Sequence, residues 1–354
     1  MKIERSLWVY ALALAAALVW AYGAWTSDET PDDGQSVEIL GGKKEGLTRV
    51  GYDSENLTVS VTMFEDELGR YAWARVEPKT TVPSVEDPDS PIARGEPEEF
   101  KVGVNGDKLL EGVAPFRAKR ILEGVEDHQL AELGLEPPEA TLTIEREGRD
   151  AKTYDLSSKG FGGVNVYVRD RDTATIYIVD AKVLSPLKTA SRTLPDRALH
   201  DLEPKDIESV TVSEGSRSTT WEQKNADDPK AAFWAKDGED LGNEAAKAWL
   251  DKALNLKVAR YLQADELPSD AAVVFSYTVR GADDHAIAVE VLRGFDDAGE
   301  DLFFARSPHN RGPVKLHRSL AAEAVADIES ALTGEGSPTP AAEDPAQDEL
   351  PALP

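Results

Sequence analysis

The chain contains five histidines and no cysteine, so imidazole and carboxylate groups are the main side chains with which it could perform catalysis or hold a metal. The lack of cysteine excludes thiolate catalysis, cysteine–zinc sites and disulfides. No two histidines have the i, i+4 spacing of a zinc-binding HExxH helix. We therefore predict a structural or surface role for each, with solvated positions for the two that fall beside a turn (His285) and in a loop (His309). The five are His128, His200, His285, His309 and His317.

Serine, glycine and carboxylate patterns add no stronger signal. No GxSxG nucleophile motif occurs. The glycine-rich stretch 160–163 lacks the Lys-Ser/Thr of a phosphate-binding loop, which favours a simple turn before Val164. The acidic loop Asp296–Asp301 does not match the twelve-residue calcium loop. The sequence thus predicts no catalytic residue, no cofactor-binding residue, no metal ligand and no cofactor.

Six arginines lie near predicted strand ends or near the middle of the chain. There they could bind a carboxylate partner or form internal salt bridges, and internal salt bridges are the commoner use. We prefer that interpretation. The six are Arg169, Arg171, Arg192, Arg197, Arg306 and Arg311.

The formal net charge of the chain is -27. A surface of this sign repels nucleic-acid phosphates and anionic lipid headgroups, so nucleic acid is not expected as a partner. Acidity of this kind commonly serves solubility.

The N-terminal stretch Leu7–Trp25 is apolar and carries no charge. As a helix rising about 1.5 Å per residue it would span about 28 Å, close to the hydrocarbon thickness of a bilayer. Lys2 and Arg5 precede it, and acidic residues follow it. The positive-inside rule therefore predicts a single-pass helix in the cytoplasmic (inner) membrane, with the N-terminus in the cytoplasm and the remaining chain in the periplasm or its equivalent.

A cleaved signal peptide is the alternative interpretation of the same stretch. Ala21 and Gly23 could occupy the small positions before a cleavage site. However, the apolar run is longer than a usual signal core, and aromatic residues stand at its far end. We favour the retained anchor.

The repeated order of elements in the remaining chain predicts an α+β protein made of two tandem, mostly antiparallel modules and suggests an internal duplication. Acidic and proline-rich segments interrupt or flank the modules, and the C-terminal one is expected to be disordered. The predicted ranges are 1–26 for the cytoplasmic stub and anchor, 27–45 for an acidic spacer, 46–193 for the first module with a Pro-rich acidic insert at 78–98, 194–203 for a joint, 204–333 for the second module and 334–354 for a disordered tail.

The two modules follow the same predicted order of elements. Each opens with a hairpin, from Leu57 to Arg75 in the first and from Ile207 to Trp221 in the second, because apolar and polar residues alternate there. A short third strand and a helix follow. The helix of the second module has apolar residues at i, i+3, i+4, i+7 and i+8 from Ala246, while Pro115 is expected to bend or end its counterpart.

Two further hairpins and short closing helices complete each predicted module. The hairpins pair 141–146 with 152–156 and 166–169 with 175–179 in the first module, and 274–280 with 286–292 and 302–306 with 314–317 in the second. The closing helices are expected at 180–188 and 320–332.

One part of the sequence resembles a known family. The stretch Leu133–Ile144, with its Gly-Leu-Glu-Pro-Pro turn, is similar to the most recognisable part of a bacterial envelope family catalogued as domain of unknown function 4340, and so are 166–179 and 192–202. The resemblance covers roughly 46–332 and is strongest from 118 to 202. It implies an N-terminal membrane helix, an exported repeat-like domain and an association with ABC-type export systems of the gliding-motility auxiliary kind. It supplies no catalytic residue.

Three functional hypotheses follow from these features. The preferred one is a non-catalytic, membrane-anchored accessory or scaffold protein of an ABC-type envelope transport complex. The second is a module that binds an envelope polymer or a small ligand, for which exposed aromatic residues such as Phe161, Trp221 or Trp234 would be the discriminating feature, although core packing is their commoner role. The least favoured is a metal-assisted hydrolase assembled from scattered carboxylates and histidines, which would need these groups to converge in one cleft.

Overall fold

The computed structural model describes residues 36–79, 81–82, 92–93, 96–161, 164–282 and 285–335. The predicted anchor Leu7–Trp25 and nearly all of the predicted tail lie outside the described residues. None of the helices in the described ranges combines the length and the apolar character that a bilayer span requires.

The described chain is a mixed α+β structure in which nearly all strand pairs are antiparallel, as the sequence predicted. The strands are Val37–Leu40 (β1), Leu47–Ser54 (β2), Leu57–Asp66 (β3), Gly69–Pro78 (β4), Thr81–Val82 (β5), Ile92–Ala93 (β6), Glu98–Lys101 (β7), Phe116–Ala118 (β8), Arg120–Leu122 (β9), Ala140–Arg146 (β10), Lys152–Phe161 (β11), Asn165–Asp170 (β12), Ile176–Asp180 (β13), Ile207–Glu214 (β14), Arg217–Lys224 (β15), Phe233–Lys236 (β16), Val258–Tyr261 (β17), Ala272–Gly281 (β18), Ala286–Phe295 (β19), Asp301–Ser307 (β20) and Gly312–Leu316 (β21). The α-helices are Val104–Val113 (α1), Leu130–Leu133 (α2), Ala181–Lys188 (α3), Ala190–Thr193 (α4), Glu244–Leu254 (α5), Arg318–Ala326 (α6) and Ile328–Thr333 (α7).

Two large sheets organise the described residues. The first has nine strands in the order β7-β4-β3-β2-β10-β11-β12-β13-β9, and the second, among the described strands, has eight in the order β16-β15-β14-β18-β19-β20-β21-β17. In each, a hairpin near the start of the half pairs with a later meander, and a short strand that follows the helix (β9 in the first half, β17 in the second) lies at the far edge. Two small two-stranded pairs, β1-β8 and β5-β6, accompany them.

Alternation of side chains explains these strands. In β10 the buried residues are Ala140, Leu142, Ile144 and Arg146, and the intervening residues are partly exposed. Because successive side chains point to opposite faces of a strand, this pattern gives one face to the core. The predicted hairpins β10-β11, β12-β13, β18-β19 and β20-β21 are all confirmed.

One helix covers each sheet with a comparable apolar stripe. The stripe of α1 consists of Gly106, Leu109, Leu110 and Val113, and that of α5 consists of Ala246, Trp249, Leu250 and Ala253. Both follow the i, i+3, i+4, i+7 spacing of a helix that packs on a core. Helix α1 ends two residues before Pro115, as predicted. The predicted closing helix 320–332 is instead two helices, α6 and α7, divided at Asp327.

The opening of the first half differs from the prediction. The predicted opening hairpin is β3-β4, but β2 precedes it and pairs with β10, so β2 occupies the place that β14 takes beside β18. The buried positions agree with this alignment, since Leu47, Val50 and Tyr52 in β2 correspond to Ile207, Val210 and Val212 in β14. The prediction was shifted by one strand. In addition, β1 lies within the range predicted as spacer, and β5 and β6 lie within the predicted insert.

The buried apolar residues of both sheets belong to one continuous cluster. It runs from Leu47 and Val50 in the first sheet, through Phe100 and Leu194, to Val258 and Val289 in the second. The two sheets therefore meet around a shared apolar contact, and that contact is where the polar groups described next are found.

Candidate functional site: the junction between the two sheets

The chain segment 194–199, which connects the two halves, is hydrogen-bonded to an edge strand of each sheet. On the first sheet, the Gly103 amide donates to Leu194 O and the Asp196 amide donates to Lys101 O, both at 2.9 Å. On the second sheet, the Val258 amide donates to Arg197 O at 3.0 Å. Since β7 and β17 are the edges involved, this segment joins the two sheets through their backbones.

Arg197 strengthens this connection with its side chain. Its guanidinium donates to Val258 O at 3.1 Å and to Ala259 O at 2.6 Å. These bonds satisfy carbonyls on the outer edge of β17, which would otherwise remain open to pairing. Arg197 was predicted to form an internal salt bridge; here it binds backbone carbonyls instead.

A buried group of charged side chains lies beside this segment. Asp196 Oδ2 accepts from Lys101 Nζ at 2.9 Å and lies 2.8 Å from His309 Nε2. Lys101 Nζ is also 3.0 Å from His309 Nε2. The three side chains are only 15%, 12% and 7% exposed, in the order Asp196, Lys101 and His309. Lys101 comes from the first sheet, Asp196 from the connecting segment and His309 from the second half, so the group spans all three parts.

The charge state of this group follows from its surroundings. Burial alone would raise the pKa of Asp196, but the hydrogen bond from His309 and the charge and hydrogen bond of Lys101 outweigh burial and lower that pKa to about 2. Asp196 is therefore ionised at neutral pH. Burial, followed by the charge of His309, lowers the pKa of the nearby His200, which favours a neutral imidazole there.

Neutral polar side chains extend the bonding around the charged group. Tyr261 Oη donates to Asp196 O at 3.0 Å, Asn310 Nδ2 donates to Ala198 O at 2.8 Å, and Ser307 Oγ donates to Leu199 O at 2.7 Å. Among the described residues, Asn310 Oδ1 and His200 Nδ1 are buried without a hydrogen-bond partner. Most side-chain donors at the junction thus hold the connecting segment onto the second sheet.

At the rim of the junction, the β3-β4 hairpin contacts the second half. Arg311 Nε donates to Asp66 Oδ2 at 2.9 Å, and its guanidinium carbon lies 4.8 Å from the centre of the Tyr71 ring. The hydrogen bond from Arg311 lowers the pKa of Asp66. Trp73, two residues after Tyr71 in β4, packs edge-on against Tyr261 with ring centres 5.8 Å apart. An ion pair from β3 and aromatic contacts from β4 thus link this hairpin to the second half.

The structure places the five histidines in different surroundings. His128 and His285 are exposed beside Glu126 and Asp201, and His317 is exposed at the start of α6. His309 is 8% exposed and lies in the 3₁₀ turn Pro308–Asn310, so the prediction of a solvated loop position is wrong for it. Its neighbours explain the difference, because Asp196 and Lys101 supply the polar contacts that water would otherwise make.

Internal salt bridges were predicted for six arginines, and three form them. Arg171 pairs with Asp155 at 2.6 Å, Arg311 with Asp66 at 2.9 Å, and Arg306 with Glu290 at 3.8 Å. The first two contacts join neighbouring strands or halves through partly buried carboxylates.

The motifs weighed in the sequence lie apart from the junction. In the acidic loop near residue 296, Asp296 Oδ1 accepts from the amides of Ala298 and Glu300 at 2.9 and 2.8 Å. Gly160 belongs to β11, and residues 162–163 lie outside the described range. Within the ranges that the structure describes, no group of three or more His, Asp or Glu is placed to hold a metal ion.

The aromatic residues proposed as a discriminating feature lie in the core. Trp221 is 1% exposed and its Nε1 donates to Ala331 O at 2.7 Å, and Trp234 is 6% exposed. The side chain of Phe161 is outside the described residues. The two tryptophans therefore pack the core and offer no exposed face for stacking a sugar.

A cleft lies against the Gly-Leu-Glu-Pro-Pro turn at residues 134–138. It measures about 530 Å³ and is lined by Tyr52, Gly134, Pro137, Pro138 and Lys188 among others. Lys188 pairs with Glu139 at 2.7 Å on its wall. Burial, and then the charge of Glu139, raise the pKa of Tyr52 to about 12, so the phenol remains protonated.

Fold and junction together define a class of protein: a two-sheet α+β body whose halves are joined by a hydrogen-bonded segment. Residues 105–272 match the model of one protein family, described as Domain of unknown function (DUF4340). The match confirms the resemblance seen in the sequence. It begins in α1 and ends at the start of β18, so it includes the whole junction segment. No curated protein and no solved structure matches the chain.

The sequence predicted a joint at 194–203 but gave no direct indication of the charged residues that come together at the junction. Lys101 and Asp196 are 95 positions apart, and Asp196 and His309 are 113 apart. Neither separation has a periodic signal in a single sequence. The available signal was indirect: Asp196 and Arg197 form an adjacent pair of opposite charges within the segment 194–203, which contains three leucines.

Proposed function

We propose that the chain is a non-catalytic accessory or scaffold protein, held in the cytoplasmic membrane by Leu7–Trp25, with its two-sheet body outside the cytoplasm as part of an ABC-type envelope transport complex. The observation that carries the proposal is the junction. There, Asp196, Lys101 and His309 are bonded to one another, and Arg197 and Tyr261 are bonded to the chain's own backbone. Side chains used in this way fix two sheets relative to each other, which suits a scaffold.

The anchor part of the proposal is supported by the sequence. Leu7–Trp25 is uncharged, follows Lys2 and Arg5, and precedes an acidic stretch. These are the features that retain a helix in the bilayer and leave its N-terminus in the cytoplasm. The transport association is supported by the family resemblance, whose members are often associated with ABC-type export systems.

A duplicated module is the finer form of the fold proposal. The buried positions of β2 and β14 correspond one to one, and so do those of α1 and α5. The two sheets also share the order in which hairpin, helix and meander are added. A scaffold built from two copies of one module offers two related surfaces around a single junction.

Copurification tests the proposal. The full chain, tagged at its C-terminus, is extracted from its native membranes with a mild non-ionic detergent and captured. We expect a multi-spanning membrane protein and an ATPase subunit to be recovered with it in stoichiometric amounts. Recovery of the chain alone across several detergents, and after chemical crosslinking, would contradict the transport assignment.

Topology needs its own measurement. A C-terminal alkaline phosphatase fusion is expected to be active, and a C-terminal green fluorescent protein fusion exported by the same route to be dark. The matched control replaces Leu14 and Leu18 by arginine, which puts charge in the middle of the apolar stretch. The control should move the protein to the soluble fraction and reverse both reporters. Unchanged reporters in this control would refute the anchor.

The binding-module alternative has one specific observation in its favour, the cleft of about 530 Å³ at the family-typical turn. Its wall combines Tyr52, two prolines and the Lys188–Glu139 pair, a mixture of apolar and polar groups typical of ligand sites. Pull-down of the full chain with isolated cell-wall material tests it. Retention that is lost in Lys188→Ala and kept in Lys182→Ala would favour this alternative over the scaffold.

A further inference from the structure

The edge strand β7 carries backbone groups that point away from its own sheet. The amide of Val102, which follows β7, donates at 2.9 Å to Ala72 O in the neighbouring strand β4. Because hydrogen-bonded and non-hydrogen-bonded pairs alternate in an antiparallel ladder, residues 98, 100 and 102 face β4, and residues 99 and 101 face outward. The Asp196 amide donates to Lys101 O from that outward side, which agrees with this assignment.

The two facing edges differ in how far they are covered. Arg197 covers the edge of β17. Its backbone carbonyl accepts from the Val258 amide, and its guanidinium donates to the carbonyls of Val258 and Ala259. On β7, the connecting segment reaches Lys101 and then turns toward β17. The amide and carbonyl of Glu99 therefore point outward beyond the covered part of the edge.

A cleft opens at this position. It measures about 570 Å³ and lies between the two edges, with residues 96–100 on one side and 259–261 on the other. Pro97, Phe100, Pro195 and Tyr261 are among its lining residues, but Phe100 and Tyr261 are only 2% and 7% exposed and present little surface to a ligand. Among the described strands β7 pairs only with β4, and an edge strand that faces a cleft can accept an extended peptide by strand addition.

The charge around the cleft is negative. Glu99 is paired with Arg75 at 2.7 Å, Glu266 is paired with Arg260 at 2.8 Å, and Arg197 is bonded to carbonyls. Glu96 and Glu98 remain, and neither forms a salt bridge with a described residue. An incoming strand should therefore carry lysine or arginine, which complements these carboxylates.

We propose that the cleft between β7 and β17 binds an extended, basic peptide segment of a partner protein, which adds to the edge of β7 at Glu99. This deepens the proposed function by naming the contact surface, and it rests on that function only for the identity of the partner. Backbone hydrogen bonds to Glu99 would supply affinity, and contacts with the acidic rim would select the sequence.

Binding is measured by fluorescence anisotropy with the full chain in non-ionic detergent at about 150 mM salt, where surface charge is screened beyond about 8 Å. The probe is a fluorescein-labelled heptapeptide of alternating lysine and valine. The key control has the same sequence with all of its backbone nitrogens methylated, which removes the hydrogen-bond donors from both edges of the peptide and keeps the side-chain charge. We expect this control to bind at least tenfold more weakly. Equal binding of both peptides would overturn the proposal and show charge attraction only.

A pair of substitutions at Glu99 gives a second, independent test. Glu99→Pro removes the outward amide without removing a bond to β4, a change that edge strands tolerate. Glu99→Gln keeps the amide and removes only the charge. We expect the proline variant to weaken binding at least tenfold and the glutamine variant less than threefold. Equal effects would overturn the proposal, and thermal unfolding of both variants verifies that they are folded.

The acidic rim is tested with the double variant Glu96→Gln, Glu98→Gln. We expect roughly fivefold weaker binding and a flatter dependence on salt, because two carboxylates are lost. The outcome is separate from that of the transport proposal. Selective peptide binding without a copurified transporter would retain the cleft and remove the transport assignment, while a copurified transporter without peptide binding would do the reverse.

Discussion

The interior of the two sheets and the junction between them are built on different principles. Within the sheets, apolar residues such as Leu110 and Trp249 are 0% and 1% exposed and fill helix-to-sheet contacts. At the junction, an aspartate, a lysine and a histidine lie in a largely buried position and are bonded to each other. Apolar burial supplies stability but little direction, whereas hydrogen bonds require defined distances and angles.

This difference indicates a division of work. The apolar cluster keeps the body folded, and the polar junction sets how the sheets are placed against each other. A buried ion pair is weak evidence for stability by itself, because desolvation offsets much of the attraction. Substitutions in the two regions should therefore have different consequences.

The largest effect is expected from Trp249→Ala in α5. Trp249 is 1% exposed, packs against Phe275 with ring centres 5.4 Å apart, and donates to Ala324 O at 2.7 Å. Its truncation leaves a cavity and an unpaired carbonyl, so the free energy of unfolding should fall by about 3–5 kcal/mol. Urea unfolding measures this. Trp249→Phe keeps part of the packing and should cost less; an equal cost for both would show that the hydrogen bond alone matters.

Leu110→Ala in α1 is the equivalent test in the first sheet. Leu110 corresponds to Leu250 in the other helix, and both are 0% exposed. The expected loss is about 2–5 kcal/mol, because the surrounding residues can collapse only partly into the space. Leu320→Ala, at a position that is 38% exposed, is the control and should change the urea midpoint little. A loss for Leu110→Ala as small as that of the control would show that the two sheets do not depend equally on their helices.

Asp196→Ala should cost about 2–3 kcal/mol, because it leaves Lys101 and His309 facing each other without a carboxylate. This loss of stability is smaller than that expected for a fully buried pair, because Lys101 and Asp196 remain 12% and 15% exposed. The double variant Asp196→Leu, Lys101→Met should recover part of the loss. Changes in the distance between spin labels on the two sheets would show lost orientation; an unchanged distance distribution in all variants would contradict the role assigned to the junction.

The pH dependence of unfolding sharpens the same point. The folded-state pKa of Asp196 is about 2, below its ordinary value of 3.8. Its contribution to stability is therefore complete above about pH 4 and is lost as the pH falls toward 2. Comparing urea midpoints of the natural chain and Asp196→Asn from pH 7 to pH 2 isolates this group. The difference between the two should shrink below pH 4, and a difference that stays constant would contradict the assignment.

The smallest effect is expected at the rim. Arg311→Ala removes the bond to Asp66 and the contact with the Tyr71 ring, where the carboxylate is 34% exposed. An exposed pair of this kind contributes about 1 kcal/mol or less. Thermal unfolding should show a small shift that decreases further at high salt. A loss of stability as large as that of Asp196→Ala would show that the rim contributes as much as the buried charged group, and would contradict this prediction.

The sequence predicted much of the sheet architecture, because alternation and helical spacing are local signals. The hairpins β10-β11 and β18-β19 and the stripe of α5 were all visible in this way. Strand β2 was missed because Gly51 lies in its middle, and an irregularity in its pairing with β10 brings Leu47 opposite Arg146. A local sequence pattern cannot show a register shift that arises from pairing with another strand.

The junction could be predicted only as a boundary. The composition of 194–203 marked a connection, but hydrogen bonds to both sheet edges depend on which strands become edges after folding. His309 illustrates this limit, since a histidine in a Ser-Pro-His-Asn-Arg segment resembles a solvated turn until Asp196 is placed beside it. Long-range pairing of single polar residues leaves no period in one sequence.

Strand β1 sets the reach of the body from its proposed tether. It begins at Val37 and pairs with β8 through Ala118 and Arg117, so the chain is held to the folded part from that point onward. Under the proposed topology only about a dozen residues separate the end of the apolar stretch from this first fixed strand. At no more than about 3.5 Å per residue, they allow a working radius of about 40 Å. The first fixed strand of the body would then lie no farther than this from the membrane surface.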